Sequence, residues 1–246
     1  MRFEGKTALI TGGTRGIGAA ITKSFFLEGA DVVATYSQDE AQARRFQQEL
    51  GIDPSRGIIR QADASDHDSM RTLFNSALEK FGRLDILVNN AGIRRDSLLM
   101  FMSEVDWHDV LQVNLNGTFV CSKLALKPMI AQRWGRIINI VSPSALLGRE
   151  GQTNYAAAKG GVVSFTKSLA RELGKTGITV NAVCPGVIVT EMTRSLPEKT
   201  LAEFQRSIPM GHLGRPEDVS GTVVFLASEA ASYITGQVIS VDGGLT

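Results

Sequence analysis

The feature that most constrains the fold is a regular alternation of short β-branched segments with longer helical patterns along the 246 residues. Most of the short segments are apolar throughout their centres, which is typical of parallel strands buried on both faces. The alternation predicts an α/β fold with a seven-stranded parallel sheet covered by helices on both faces. The predicted strands are residues 7–11, 31–36, 57–62, 84–91, 135–142, 178–185 and 236–243.

One helical pattern illustrates the segments between the strands. After Asp66, apolar side chains recur three and four residues apart until Gly82. This spacing places them on one face of a helix that we expect to end at Gly82. The face consists of Met70, Leu73, Phe74, Ala77, Leu78 and Phe81.

The composition limits the function classes. Lysine and arginine (26) nearly balance aspartate and glutamate (25), so no overall field attracts nucleic acid or an anionic membrane. No apolar run reaches a signal peptide or the roughly 20 residues of a membrane span, and we expect a soluble, cytoplasmic protein. The two cysteines, Cys121 and Cys184, lack metal-ligand spacing and lie in apolar surroundings. We therefore expect buried free thiols and no metal site.

Nothing in the chain resembles a linker, a repeat or a low-complexity tract, so we expect one domain over residues 1–246. Residues 187–214 are the least regular part and directly follow a predicted strand. Open α/β sheets bind ligands beyond the carboxyl ends of their strands, and a segment inserted there can cover a site. We interpret it as a mobile lid, with an ordinary surface excursion as the alternative. Its apolar residues, which suggest a pocket but are also typical of core, are Met192, Leu196, Phe204, Ile208 and Met210.

A glycine-rich turn, "TGGTRGIG" at residues 11–18, lies between the first strand and the first helix. Its three spaced glycines, Gly12, Gly16 and Gly18, suit a tight turn, close approach of a pyrophosphate to the backbone, and close helix packing. The helix that follows presents free N–H groups and a partial positive charge to an anion. The turn lacks the lysine and Ser/Thr of a Walker-type loop. It therefore predicts a dinucleotide site.

The end of the second predicted strand bears on the choice of dinucleotide. An acidic residue there would bind the ribose 2′-hydroxyl of NAD, but the chain has Thr35, Tyr36 and Ser37. Arg15, in the glycine turn, can reach a 2′-phosphate. These residues favour NADP (NADPH), while Asp39 and Glu40 keep NAD open as the alternative.

A candidate reacting group lies in "NYAAAKGG", residues 154–161, where Tyr155 and Lys159 are four residues apart among alanines. Residues at this spacing share one face of a helix. A phenol ionises near pH 10 and is a poor proton donor or base unless a neighbour favours the phenolate. We expect the ammonium of Lys159 to lower the pKa of Tyr155, although such pairs on an arbitrary helix are usually surface contacts.

Two further polar residues accompany this pair. Ser142 ends the fifth predicted strand, where its hydroxyl could hydrogen-bond a substrate carbonyl and stabilise oxyanion character. Asn114 lies inside an apolar helical pattern, in which a carboxamide is a poor helix former. It is interpreted either as a satisfied core amide or as the anchor of an ordered water that feeds protons to Lys159.

With these motifs in order, the sequence resembles the short-chain dehydrogenase/reductase family over nearly its whole length. The motifs are residues 11–18, Asp63 in "QADASD", "NNAG" at 89–92, and Pro185, Gly186 and Thr190. The resemblance implies a single Rossmann-type domain, a homotetramer, and a catalytic tetrad. The tetrad is Asn114, Ser142, Tyr155 and Lys159. The implied cofactor-binding residues are Gly12, Thr14, Arg15, Gly16, Ile17, Gly18, Ser37, Asp63, Ala64, Asn90, Ala91, Gly92, Tyr155, Lys159, Pro185, Gly186, Ile188 and Thr190.

Within the family, the motifs look most like those of 3-oxoacyl-(acyl-carrier-protein) reductases. In that group, basic residues beside the site receive the carrier protein, and Arg133 matches one such position. The chain departs from the group at Thr176, where an arginine is expected beside Lys175, and at Pro143, where a small residue is expected. These departures weaken the carrier-protein assignment and leave the reductase assignment standing.

The resemblance implies hydride transfer from NADPH to a small-molecule carbonyl substrate, carried on acyl carrier protein or CoA, with Tyr155 as proton donor. One alternative is an NAD(P)-dependent dehydrogenase of another secondary alcohol, such as a sugar, a steroid or a cyclic diol. The other is a non-catalytic protein that senses dinucleotides.

Overall fold

The computed structural model describes residues 1–194 and 198–246. Seven parallel strands form one sheet in the order β3-β2-β1-β4-β5-β6-β7, which confirms the predicted α/β class. All seven predicted strands are present, and several are shorter than predicted. They are β1 Thr7–Ile10, β2 Asp31–Tyr36, β3 Gly57–Gln61, β4 Ile86–Asn89, β5 Gly135–Ile140, β6 Ile178–Pro185 and β7 Val238–Val241.

Helices connect the strands, and a π-helical turn, Gln112–Asn116, joins α4 to α5. In chain order they are α1 Gly16–Leu27, α2 Glu40–Leu50, α3 His67–Phe81, α4 Glu104–Leu111, α5 Gly117–Gln132, α6 Ser144–Leu147, α7 Thr153–Glu172, α8 Glu191–Arg194, α9 Glu198–Ser207 and α10 Pro216–Ala227.

The helices form two apolar layers, one on each face of the sheet. On one face, α1 and α10 pack together through side chains such as Phe25 and Val223. On the other, α3, α5 and α7 contribute Leu73, Cys121 and Leu169 to a second core. Because both faces are covered, the central strands are apolar on both sides, as the sequence pattern predicts.

The helix predicted after Asp66 is α3. Its first turn is capped by the Asp66 carboxylate, which accepts hydrogen bonds from the N–H groups of Asp68 (2.9 Å) and Ser69 (3.3 Å). It ends at Gly82, whose φ of 72° is readily adopted only by glycine. The start, the end and the buried face of this helix are therefore specified locally.

The strand order creates a crevice for a ligand. The chain leaves β1 towards β2 on one side of the sheet and later returns to β4 on the other side of β1. At such a switch point, the loops beyond the carboxyl ends of the two strands turn away from each other and leave a gap. The glycine turn follows β1 and the "NNAG" segment follows β4, so both border this gap.

Two further features are the state of the two cysteines and the character of the helices. Both cysteines are buried and free, and burial raises the pKa of each thiol to about 12, so neither is a reactive thiolate. In the described part of the chain, no helix combines the length and the apolar character needed to cross a bilayer.

Candidate active site

The glycine turn has the backbone geometry that its sequence predicts. Gly12 (φ 61°) and Gly16 (φ 52°) lie in the left-handed region, which disfavours residues with a side chain. A methyl group on Gly18 would overlap the carbonyl oxygen of Gly12. Gly13, which we did not predict, is equally restricted, because a Cβ there would lie 2.7 Å from Ala34 Cβ.

Side chains from neighbouring strands hold the turn in place, and sequence reasoning missed them. The N–H of Gly12 donates to Thr35 Oγ1 (3.0 Å) at the end of β2. The Asn90 carboxamide donates from Nδ2 to the carbonyls of Thr11 and Gly12, both at 3.0 Å. In return, Thr11 Oγ1 accepts from the N–H groups of Asn90 and Ala91. The side-chain amide of Asn90 therefore donates its hydrogen bonds to the glycine turn.

The first turn of α1 is suited to a pyrophosphate. Arg15 precedes the helix in an extended conformation, and no side chain of the described residues caps the helix start. The first N–H groups of α1 therefore remain available to an anion, with the helix dipole adding to the attraction. Thr14 is buried in the turn, whereas Arg15 is exposed and can move towards a ligand.

The acidic residues near the end of β2 are engaged in α2. The Asp39 carboxylate caps this helix by accepting from the N–H of Gln42 (2.9 Å). Glu40 forms an ion pair with Arg44 (2.7 Å). Ser37 is exposed at the strand end, where an NAD enzyme would carry an acid.

The adenine-side residues follow β3. The carboxylate of Asp63 accepts hydrogen bonds from the backbone N–H (2.8 Å) and the hydroxyl (2.7 Å) of Ser65. Ala64 is buried, and its carbonyl oxygen would lie 3.1 Å from a Cβ on Gly117. The structure therefore holds these two residues at the carboxyl end of β3, beside β2 and its exposed Ser37.

Tyr155 and Lys159 lie on consecutive turns of α7, on the same side of the helix as predicted. Lys159 Nζ is 5.8 Å from the centre of the Tyr155 ring. The lysine side chain is buried and donates to the carbonyl of Ile140 (2.8 Å) at the end of β5. The start of α7 is fixed by the buried Asn154, whose Nδ2 donates to the carbonyls of Arg95 (2.9 Å) and Asp106 (3.3 Å).

The pKa of Tyr155 is not lowered overall, contrary to what we expected from its spacing to Lys159. Burial raises the pKa of the phenol above its usual value, against the opposing effects of the Arg94 charge and a hydrogen bond with Ser142. The buried Lys159 is itself strongly affected, since loss of water contact lowers its pKa to about 8. Burial thus outweighs the favourable interaction that the four-residue spacing suggests.

Ser142 lies two residues beyond β5, at the same edge of the sheet. Its Oγ accepts from the N–H of Ser144 (3.3 Å) and lies 3.4 Å from the Ser144 hydroxyl. A hydrogen bond also links Ser142 to the Tyr155 phenol, so the two side chains lie close together.

Asn114 belongs to the π-helical turn and is fully buried. Its Nδ2 donates to the carbonyls of Ile93 (2.9 Å) and Val110 (2.8 Å), while its Oδ1 is a buried acceptor without a protein partner among the described residues. A Cβ on Gly92 would lie 2.5 Å from this oxygen and 3.6 Å from Lys159 Nζ. Asn114, Gly92 and Lys159 thus lie close together.

The segment after β6 reaches back to the glycine turn. Gly186 is tightly placed, because a Cβ there would lie 2.7 Å from Asp242 Cα, and Pro185 is buried beside it. Thr190 Cγ2 would lie 3.4 Å from a Cβ on Gly16. This contact brings together the segments that follow the first and the sixth strands.

The two described ends of the 187–214 segment are joined at its base. Ile188 pairs with Gly214, and the N–H of Val189 donates to the Gly214 carbonyl (2.8 Å). In α9, the ring of Phe204 lies 5.0 Å from the guanidinium of Arg149, which belongs to the loop after Ser142. Ile208 is buried against Gly243, as a core residue would be, and Met210 is exposed. The predictions for Leu196 and for the side chain of Met192 fall outside the described residues.

Arg133 is not beside this site in the same chain. It follows α5 and precedes β5, so it lies at the amino end of the strand that leads to Ser142. A six-residue strand spans about 20 Å. The group's pattern therefore predicted the residue type but not its distance from Tyr155.

Comparison with known proteins gives full-length matches. A family model described as enoyl-(acyl carrier protein) reductase matches residues 12–246. A 3-oxoacyl-(acyl-carrier-protein) reductase of Thermotoga maritima is 45% identical over 245 residues, 100% of this chain and 99% of the relative. One of Haemophilus influenzae is 46% identical over 243 residues, 99% of each chain. One of Synechocystis sp. is 45% identical over 241 residues, 98% of this chain and 96% of the relative.

The chain belongs to the short-chain dehydrogenase/reductase family. As a short-chain dehydrogenase/reductase, it is an NAD(P)-dependent oxidoreductase that acts on ketone or alcohol groups. Its cofactor is a nicotinamide dinucleotide, and the glycine turn with the uncapped start of α1 fits the pyrophosphate of such a cofactor.

The chemical groups that meet at the gap determine what the site can do. Within residues 1–194 and 198–246, no three His, Cys, Asp or Glu side chains are grouped so that they could hold a metal ion. The groups that converge at the gap are instead a phenol, a hydroxyl, an ammonium and a carboxamide. These groups can donate hydrogen bonds or protons to a carbonyl oxygen.

Proposed function

We propose that the protein is an NADPH-dependent reductase that converts the ketone of a 3-oxoacyl thioester into a secondary alcohol. The observation that supports this most is the meeting of Tyr155, Ser142 and Lys159 at the carboxyl edge of the sheet, next to the glycine turn. The names of the full-length relatives support the substrate class.

The proposed proton transfer follows from the site's geometry. When bound, the reduced nicotinamide supplies a hydride, which carries two electrons, to the carbonyl carbon. Ser142 donates a hydrogen bond to the carbonyl oxygen and stabilises its developing negative charge. Tyr155 gives its proton to the same oxygen, so the products are an alcohol and the oxidised dinucleotide. The raised pKa of Tyr155 keeps this proton in place at neutral pH before the reaction.

Two buried groups support the phenolate that remains. The positive charge of Lys159, one helical turn away, stabilises it, and this charge matters most after the proton has left. The buried Asn114 Oδ1 accepts a hydrogen bond from a water molecule shared with Lys159, which returns a proton to the site. The closeness of Asn114 and Lys159 to Gly92 supports this step.

NADPH is the proposed cofactor because of the charges around the end of β2. Asp39 and Glu40, the two acids that could favour NAD, are engaged by the start of α2 and by Arg44. Arg15 and Ser37 are both exposed where the ribose 2′-phosphate would lie. A carboxylate that repels this phosphate is absent from the described end of β2.

The remaining residues of the predicted cofactor site take the parts that the family pattern assigns. Asp63 and Ala64 border the adenine, the "NNAG" residues border the ribose, and Ile188 and Thr190 lie at the nicotinamide side. We also propose that residues 187–214 act as a substrate lid, since α9 contacts the loop after Ser142 through Arg149 and Phe204.

The test is steady-state kinetics with acetoacetyl-CoA and acetoacetyl-acyl carrier protein, each with NADPH and NADH. We expect turnover of both thioesters, with NADPH preferred. Reduction of crotonyl-CoA instead would favour the enoyl reduction that the family description names. Turnover of sugar, steroid or cyclic alcohols alone would favour the dehydrogenase alternative. Tight NADPH binding without oxidation by any carbonyl would overturn the enzyme proposal.

A further inference from the structure

A chain of polar side chains leads from Ser142 through buried residues to an ion pair at the surface, and it includes no member of the predicted tetrad beyond Ser142. Ser144 Oγ donates to Gln152 Oε1 at 2.6 Å. Gln152 Nε2 donates to Asp96 Oδ2 at 2.9 Å, and Asp96 forms an ion pair with Arg94. Ser144 is 8% and Gln152 2% exposed, so water hardly competes for the hydrogen bond between them, whereas Asp96 and Arg94 are each 38% exposed.

The charge state of Asp96 determines which group donates and which accepts in each hydrogen bond between these side chains. The pKa of Asp96 is lowered, because the bonds from Arg94 and Gln152 outweigh burial, so its carboxylate is ionised and only accepts. The amide of Gln152 must therefore turn its NH₂ group towards Asp96 and its oxygen towards Ser144. The single proton of the Ser144 hydroxyl is then committed to Gln152.

Because Ser144 donates its proton to Gln152, its contact with Ser142 is also restricted. Since Ser144 Oγ has no proton to spare, it can only accept from the Ser142 hydroxyl, 3.4 Å away. The N–H of Ser144 donates to Ser142 Oγ at 3.3 Å. Both contacts are longer than the others in the chain. The Ser142 hydroxyl, which also hydrogen-bonds the Tyr155 phenol, is thus held in place by contacts to Ser144 that are long enough to be exchanged for a substrate carbonyl.

We propose that Gln152 is a positioning residue that acts through Ser144 to orient the Ser142 hydroxyl as a hydrogen-bond donor, with the Arg94–Asp96 ion pair fixing the orientation of Gln152. The proposal rests on the proposed function, in which Ser142 polarises the carbonyl. Its effect belongs to the reaction step, since an oriented donor stabilises the developing oxyanion more than the bound ketone.

Three variants test the direction of the chain. Gln152→Leu removes the acceptor of the Ser144 proton, Asp96→Asn lets the Gln152 amide turn round, and Ser144→Ala removes the link to Ser142. We expect each to lower kcat for acetoacetyl-CoA about tenfold, while KM changes less than threefold and NADPH affinity is unchanged. Gln152→Leu should cause little further loss in the Ser144→Ala background, because both act through one hydroxyl.

Gln132→Leu is the matched control. Gln132 is a partly buried glutamine that bonds to the backbone of Leu84 at the other end of the sheet. We expect it to lower Tm and to leave kcat unchanged. Folded Gln152→Leu protein with wild-type kcat, or a full further loss in the Ser144→Ala background, would overturn the proposal. The wild-type kcat for acetoacetyl-CoA tests the proposed function separately. The role of Gln152 is judged only from the ratio of the variant kcat to the wild-type kcat.

Discussion

Tyr155 is a phenol whose surroundings keep its proton in place. Burial raises its pKa, and the opposing influences come from Arg94 and Ser142. A proton donor must hold its proton before the reaction, so a raised pKa is compatible with ketone reduction. It also means that the phenolate formed on transfer depends on nearby positive charge. Spacing in the sequence identified Lys159 as one source but gave no sign of Arg94, which reaches the site from the loop after β4.

The lowered pKa of Lys159 predicts how the free energy of unfolding depends on pH. Its folded-state pKa of about 8 lies below the unfolded value, so the unfolded chain binds more protons between about pH 8 and pH 10.5. Stability contributed by this group therefore rises with pH in that window. Relative to Lys159→Met, the wild type should gain roughly 2 to 3 kcal/mol of unfolding free energy between pH 7 and pH 10.

Urea unfolding of both proteins across this pH range measures the difference. Lys127→Met, at an exposed lysine of α5, is the control for the loss of one charge. A gap between wild type and Lys159→Met that stays constant with pH would contradict the lowered pKa.

At the scale of elements, the glycine turn and α1 are coupled by close packing. Alanine usually stabilises a helix interior relative to glycine by up to about 1 kcal/mol. In Gly18→Ala, the overlap with the Gly12 carbonyl should outweigh this gain and lower stability by roughly 1 to 3 kcal/mol. NADPH binding should weaken as well, because the turn would move.

Gly221→Ala in α10 is the matched control, since a Cβ there has no neighbour within 4 Å. We expect this variant to be neutral or slightly more stable in thermal unfolding. Equal stability of the Gly18 and Gly221 variants would show that the close packing at the turn is not limiting.

The proposed lid makes a prediction at this scale too. Its base is tied by Ile188 and Gly214, whereas α9 contacts the loop after Ser142 through one aromatic ring. We expect backbone amides of residues 198–207 to exchange hydrogen more slowly when NADPH is bound. Exchange at the same rate with and without NADPH would contradict a closing lid and favour a plain surface excursion.

Much of the element scale could be predicted because its causes are local. Short β-branched runs with apolar centres indicated the seven strands, and Asp66 and Gly82 marked the ends of α3. The positive φ angles at Gly12 and Gly16 follow from residue type. The hydrogen bonds that Gly12 forms with Thr35 and Asn90 could not be predicted, because they join residues 23 and 78 positions apart in the sequence.

Distance in the sequence also limited what could be predicted about the active site. Tyr155, Lys159 and Ser142 could be selected by spacing and strand position. The Gln152 chain could not, because Gln152 and Asp96 are 56 residues apart and meet only once β4 and α7 are in place. Arg133 shows the converse limit, since a residue type that matches the family pattern carried no information on its distance from the site within one chain.

At the scale of the whole molecule, the resemblance predicts a homotetramer. Large apolar side chains are exposed before α4 and on α4 and α5, among them Met100 (86% exposed), Phe101 (73%) and Val105 (68%). Such a concentration is typical of a surface that another chain covers. Sedimentation equilibrium should give about four times the chain mass of 26.5 kDa. A monomer mass at micromolar concentration would contradict the tetramer.

The central claim is that the phenol of Tyr155 supplies the proton that completes ketone reduction. The direct measurement is NADPH oxidation by acetoacetyl-CoA in Tyr155→Phe, with NADPH affinity measured on the same protein. We expect turnover to fall by at least a hundredfold while NADPH still binds as tightly as in the wild type. Near-full turnover in this variant, with binding intact, would contradict it.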